Sequence, residues 1–319
     1  MKHCPFFIVG LLLLLNTSCS EPEVDDIQLA SIPETPELFA SGLVSTGLYE
    51  RDIAIHPSGE EIIYTLGDYK QSKRCLVSIR MIEGDWQPAQ VLNISGRYQD
   101  IEPFFANEGQ RLFFASNRPL EKDSAATDYN IWYSDREGEA WGEPIPLNGN
   151  INTAGDEFYP SVAKNGNLYF TATKEEGIGR EDIYIARFVD GKYQRAEVLD
   201  STINSLYYEF NAYVSPDEDM LIFSSYGRPD DLGGGDLYIA RKNTAGAWLP
   251  AKNMGPSINS EKLDYCPFVD IARNTFYFTS ERMTRSDTLR IRNINTLQKM
   301  ANTPGNGMGD IYRVVNTGI

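Results

Sequence analysis

The chain has 319 residues, 41% of them hydrophobic, enough for one large all-β domain or two small ones with a real core. Its 18 Tyr and 15 Phe favour strands over helices. A formal net charge of −16 argues against nucleic-acid phosphate as a partner and against charge-driven binding to an anionic membrane, and leaves cations and basic partners open.

The first eighteen residues read as a signal peptide rather than fold. Lys2 gives a positive start, and Phe6 to Leu15 is an apolar run too short to span a bilayer and of the length of a signal h-region. Asn16-Thr17-Ser18-Cys19 follows, and small residues before Cys resemble a lipoprotein signal that lipidates Cys19. The usual Leu three places before the Cys is Asn16 here, and an ordinary secretion signal is the other reading. Residues 19–36 are acidic and contain Pro, and are expected to form a flexible tether. An acidic stretch directly after such a Cys resembles the surface-export signal of Bacteroidota lipoproteins. Export permits a Cys75–Cys266 disulfide, although two lone Cys also suit a buried core.

From residue 37 onward the chain repeats itself. Trp86, Trp141, Tyr193 and Trp248 are spaced 55, 52 and 55 apart, each followed six residues later by Leu92, Leu147, Leu199 or Met254. Ile-Asn pairs follow in three units, ending at Asn152, Asn204 and Asn259. Each unit carries a first strand pattern (Ile101 to Phe105, Phe158 to Val162, Phe210 to Val214, Tyr265 to Val269, and weakly Arg51 to Ile55), then a turn such as Ser215-Pro216-Asp217-Glu218. An apolar second strand follows, such as Leu221-Ile222-Phe223, and a third, such as Asp236-Leu237-Tyr238-Ile239. The fourth is expected to begin at the Trp or Tyr, and no segment shows a sustained helical period. Four strands per unit of 50–57 residues is the size of a propeller blade.

The expected fold is therefore all-β, a single β-propeller over 37–319 with five four-stranded blades. The fifth unit stops after its third strand, Asp310 to Val315, while Leu38 to Val44 reads as a strand without a partner. The N-terminal strand is thus expected to complete the last blade and cover the sheet edges. Six blades is the alternative, if residues 20–50 hold more strand.

Ser215-Pro216-Asp217 before a strand, then Asp236-Leu237-Tyr238-Ile239-Ala240, resembles the TolB-type WD40-like propeller repeat over roughly residues 50–315. There is no Trp-Asp dipeptide, and the first unit departs most, with Cys75 where the others have Asp or Asn. The resemblance implies a binding or scaffold role, by analogy with a fold rather than a site.

Chemistry-bearing motifs are few. Beyond the signal the only histidine is His56, in a turn aligned with Ser215, and no Gly-x-Ser-x-Gly elbow exists. One His and two isolated Cys make no zinc cluster, and no cofactor is expected. Gly233-Gly234-Gly235 leads into a strand without Lys and reads as a tight turn. One constellation stands out: an acid opens every first strand, at Glu50, Asp100, Glu157, Glu209 and Asp264. Two residues on, facing the same way, come Asp52, Glu102, Tyr159, Asn211 and Cys266. These positions are expected at one mouth of the central channel, as a ligand or structural Ca²⁺ site, or as ties between blades. Asp182, Asp236 and Asp310 read as ties between turns and strands.

About 25 residues interrupt the last unit between Arg282 and Met308, with Arg282, Arg285, Arg290, Arg292 and Lys299 in an otherwise acidic chain. The pattern as a whole points to a non-enzymatic binding or scaffold lipoprotein of the outer membrane, on its periplasmic side or at the cell surface. Its propeller face would hold a protein, peptide or glycan. The alternative is a glycan hydrolase using Glu102, Glu157 and Glu209 in the funnel, chemistry that paired carboxylates perform without His.

Overall fold

The computed structural model describes residues 26–121, 128–284 and 290–316. The signal segment 1–18, Cys19, the tether up to residue 25 and Arg285 lie outside the described residues.

Alternating apolar runs broken by Gly, Asn and Pro turns fold as five small antiparallel sheets arranged as a five-bladed β-propeller. Blade 1 is built from Tyr49–Ile55, Glu61–Gly67, Arg74–Ile82 and Gln90–Val91. Blade 2 follows with Asp100–Ala106, Arg111–Ser116, Asn130–Glu137 and Ile145–Pro146. Blade 3 uses Glu157–Val162, Leu168–Ala172, Asp182–Ala186 and Glu197–Val198. Blade 4 uses Tyr208–Val214, Met220–Tyr226, Asp236–Arg241 and Lys252–Asn253. Blade 5 holds Asp264–Asp270, Thr275–Ser280 and Asp310–Val315, and its outer strand is Glu37–Leu38 from the other end of the chain.

Ring closure is as the sequence suggested, with a shorter strand. Glu37 and Leu38 pair with Arg313 and Tyr312, and the Phe39 amide donates to the Ile311 carbonyl at 2.8 Å. The chain then turns at Ala40, whose φ of 45° ends the extended run that had been expected to reach Val44. The strand does not work alone. Ile27 is buried against blades 5 and 1, Trp86 donates its indole N–H to the Ile27 carbonyl, and Val315 donates to Pro33. Residues 27–33, expected from composition to be tether, are therefore docked, because Ile27 and Leu29 give this segment apolar surface to bury.

The fourth strands also begin later than expected. Trp86, Trp141 and Tyr193 sit in short hairpin arms that extend the third strand, and Trp248 makes one bridge to Lys242. Pro88, Pro144 and Pro250 then interrupt three of the four segments, since proline has no N–H to give a ladder. Pairing resumes only at Gln90, Ile145 and Lys252.

The core lies between blades rather than at the centre. Ile63, Leu76, Leu112 and Phe114 join blades 1 and 2. Tyr169, Ile183, Leu221 and Phe223 join blades 3 and 4, and Phe39, Ile62, Tyr64 and Tyr277 join blades 5 and 1. Each fully buried aliphatic or aromatic side chain in these wedges is worth about 1.5–3 kcal/mol. The insertion in blade 5 carries the one α-helix among the described residues, Ile294–Ala301, capped by Asn293 whose side chain accepts from the Thr296 amide. Eight residues are too few for a period to stand out. The insertion leans on the approach to blade 1: a Cβ on Gly47 would lie 2.7 Å from the Asn302 carbonyl carbon, so only glycine fits there.

Candidate functional site

The five acids that open the first strands are all fully buried. Each is held by the loop that precedes it. Thr46, Thr153, Ser205 and Ser260, four residues before their acids, donate amide and hydroxyl to Glu50, Glu157, Glu209 and Asp264. Asp100 takes the hydroxyls of Ser95 and Ser116 instead.

A cation completes four of the five. Arg118, Lys174, Arg228 and Arg282 stand just past the second strands and reach Asp100, Glu157, Glu209 and Asp264 at 2.5, 3.7, 3.0 and 2.6 Å. The same four side chains donate to the carbonyls of Ile94, Ile151, Ile203 and Ile258, six residues before each acid. Each carboxylate–cation pair thus staples the incoming loop to its blade. The recurring Asn does parallel work: Asn152, Asn204 and Asn259 accept from and donate to the backbone of Ile131, Ile183 and Leu237.

Glu50, Asp100, Glu157, Glu209 and Asp264 therefore do not gather into a shared site; each is spent on its own blade. Among the described residues no three His, Cys, Asp or Glu are grouped to hold a metal ion. Asp182, Asp236 and Asp310 likewise accept backbone amides of the loops before them.

The inner tier does converge. Asp52, Glu102, Tyr159, Asn211 and Cys266 adopt left-handed φ of 58, 61, 51, 52 and 54°. Each opens a β-bulge at which the first strand shifts register against the second. Non-glycine residues rarely hold this conformation, so strain is stored five times over. Because it recurs in every blade it belongs to the architecture: it turns one side chain per blade into the channel. There Arg51 donates to both oxygens of Asp52 and to Glu102 at 3.0 Å, while Glu102 also accepts the Tyr159 amide and the Asn211 side chain. The Tyr159 hydroxyl crosses to the Pro267 carbonyl of blade 5 at 3.1 Å. All five are buried, Glu102 is pushed up to about 7 chiefly by burial, and burial also raises the Cys266 thiol. The space left beside Glu102 and Tyr159 is about 10 Å³, room for about one water. His56, in contrast, sits in its turn bonded to Ser58, and Cys75 and Cys266 are unpaired.

Blade 1 breaks the pattern. Where the other blades place Arg or Lys past the second strand it has Asp68, which folds onto its own turn through the Lys70 and Ser72 amides. Among the described residues no cation pairs with Glu50, which is raised to about 7, by burial first, with Asp310 nearby adding to the effect. Where the other third strands begin with Asn130, Asp182, Asp236 or Asp310, blade 1 has the half-buried Cys75. Over this blade lies a cavity of about 620 Å³, between Leu48, Lys73 to Cys75, Val91 and Gly96 to Gln99. None of these lining residues stood out in the sequence except Cys75. The signal available was a length: eight residues separate Leu92 from Asp100, against ten from Leu147 to Glu157 and from Leu199 to Glu209.

The face that carries the loops into the first strands also collects exposed apolar residues. Leu206 is 77% exposed, and Leu48 and Tyr207 are exposed in the same kind of loop; Tyr69, Tyr226, Leu232 and Ile294 are exposed at or beyond the ends of second strands, at the same end of the blades.

No protein-family model matches the chain, and no curated protein matches it. Among solved structures, it is similar to TolB from Acinetobacter baumannii, 14% identical over 82% of this chain and 53% of that one, with a TM-score of 0.43. It is also similar to alpha-L-arabinofuranosidase from Lactobacillus brevis, 10% identical over 87% of this chain and 96% of that one, with a TM-score of 0.49. A third is the endo-arabinase from Bacteroides thetaiotaomicron VPI-5482, 16% identical over 82% and 99%, with a TM-score of 0.46. The chain spans about half the length of that TolB. At these values no site or activity carries over. Among the described residues no helix is long and apolar enough to cross a membrane.

Proposed function

We propose that the protein is a non-enzymatic binding protein, lipid-anchored at Cys19 to the outer membrane, that holds a polypeptide partner on the propeller face bearing the loops into the first strands. The signal-like residues 1–18 and the acidic run after Cys19 support the anchor, with 37–319 as the propeller domain. The observation that carries the binding reading is the state of the carboxylates: those that open the first strands are bonded to their own loops, and Glu102 is locked to Arg51, Asn211 and the Tyr159 amide. A glycosidase needs two carboxyl groups open to a sugar and about 5–10 Å apart, and the space beside Glu102 has room for about one water. The exposed Leu206 and Tyr207 suit contact with a partner's apolar side chains.

The test is the melting temperature of the purified chain against a panel of peptides and arabino-oligosaccharides, with products followed in the same tubes. Binding to the folded state raises the melting temperature. A rise with a peptide, abolished by Leu206→Asp with Tyr207→Asp, is expected without product. Product formation that Glu102→Gln abolishes would instead establish the hydrolase.

A further inference from the structure

The cavity over blade 1 has an origin and a chemistry. It opens where this blade departs from the other four: a shorter outgoing loop, Asp68 in the place of the Arg or Lys that pairs with the first-strand acid, and Cys75 in the place of an acid or amide. Its walls combine two kinds of surface. Leu48, Leu66, Val91 and the ring of Tyr98 are apolar, whereas Lys73, Arg74 and Arg97 bring three positive charges.

Those cations are unusual in a chain with 45 acidic and 29 basic residues. Among the described residues, none of the three makes an ion pair with a carboxylate. Arg74 is fixed in place by the Tyr129 ring, 5.4 Å from its guanidinium carbon, and by a bond to the Gln99 side-chain oxygen at 3.3 Å. Asp68, the one acid in the lining, already accepts from Lys70 and Ser72. Cys75 replaces the acid that begins the third strand in blades 3, 4 and 5, which removes a charge that would repel an anion.

We propose that this cavity binds a carboxylate carried on an apolar body, the carboxylate against Lys73, Arg74 and Arg97 and the body against Leu48, Leu66 and Val91. Two sources supply that chemistry, the C-terminal residue of a peptide and a free aryl or alkyl acid. The inference rests on the binding-protein reading above and assigns it a charged pocket over blade 1. Such a site is preformed, mostly apolar and oriented by a few polar groups, as small-ligand sites generally are.

The full chain is titrated with three probes: acetyl-Leu-Phe with a free carboxylate, its C-terminal amide, and 3-phenylpropionate. Alkylation of Cys75, resolved by peptide mass spectrometry, is the readout, and melting temperature is followed alongside. The free-acid peptide is expected to slow alkylation several-fold and the amide to leave it unchanged. Lys73→Glu with Arg97→Glu, both exposed, is expected to weaken that protection at least tenfold while melting at the wild-type temperature. Equal protection by phenylpropionate assigns the site to free acids, and protection by the peptide acid alone assigns it to a chain end. Protection by the amide as strong as by the acid, or by neither acid, overturns the proposal. Failure here with a peptide-dependent melting shift that still needs Leu206 and Tyr207 overturns the cavity alone, whereas turnover lost in Glu102→Gln overturns the binding-protein reading.

Discussion

Glu50 shows what one missing cation does. Its four counterparts each have an Arg or Lys within ion-pair reach, whereas its own blade has Asp68 there, and Asp310 stands near it. Burial raises both Glu50 and Asp310 to about 7. An acid raised in the folded state binds its proton more tightly there than in the unfolded chain. The stability that Glu50 contributes is therefore full below pH about 4.5, falls as pH climbs, and reaches its lower plateau above about 7. Glu50→Gln is expected to flatten that fall and to gain about 1–3 kcal/mol over wild type at pH 8, with no gain at pH 4, measured by urea unfolding at both pH values. The five acids were legible in the sequence because they recur at one place. Their partners were not, because each cation lies one hairpin later, past the end of the second strand, at a spacing that shifts by a residue or two between blades.

Strands and turns were legible down to their blade, since period-two apolar runs between Gly, Asn and Pro have one reading. What escaped was geometry that no residue type announces. The five bulges put Asp, Glu, Tyr, Asn and Cys, never Gly, in the left-handed region. Asn tolerates that conformation and a β-branched residue does not. Asn211→Gly, which loses the bond to Glu102 but keeps the backbone fit, is accordingly expected to cost about 1–2 kcal/mol, and Asn211→Val, which loses both, about 1–3 kcal/mol more, compared by denaturant midpoint. A glycine triplet shows the opposite case, where the sequence pointed to a turn and the structure adds its reason. A Cβ on Gly233 would sit 2.3 Å from the Glu261 carbonyl carbon, so the turn is glycine because the next loop presses on it.

The molecule is held as a ring, and the ring is closed by residues far apart in the chain. Phe39 is fully buried, edge-on to Tyr277 at 5.1 Å, and its amide bonds to Ile311. Phe39→Ala is expected to cost about 3–5 kcal/mol and to increase hydrogen exchange at the amides of both blade 5 and blade 1, because the cavity opens at their shared seam. The sequence made closure legible through a count of strands, one short at the end and one spare at the start. It did not show that Ile27 to Pro33 would dock beside that strand, since a few apolar residues between acidic flanks look like a tether until a surface is present to receive them.

Whether the buried carboxylates serve the fold or a reaction is decided most directly at Glu209, which holds Ser205, Ser225 and Arg228 together. The measurement is the unfolding free energy of Glu209→Ala against wild type in urea. If these acids are ties, removing one strands a largely buried guanidinium and stability falls by about 3–5 kcal/mol. If stability is unchanged or rises, as happens when a residue kept for activity at the expense of the fold is removed, the carboxylates are not architecture and the reading of this propeller as a binding protein is contradicted.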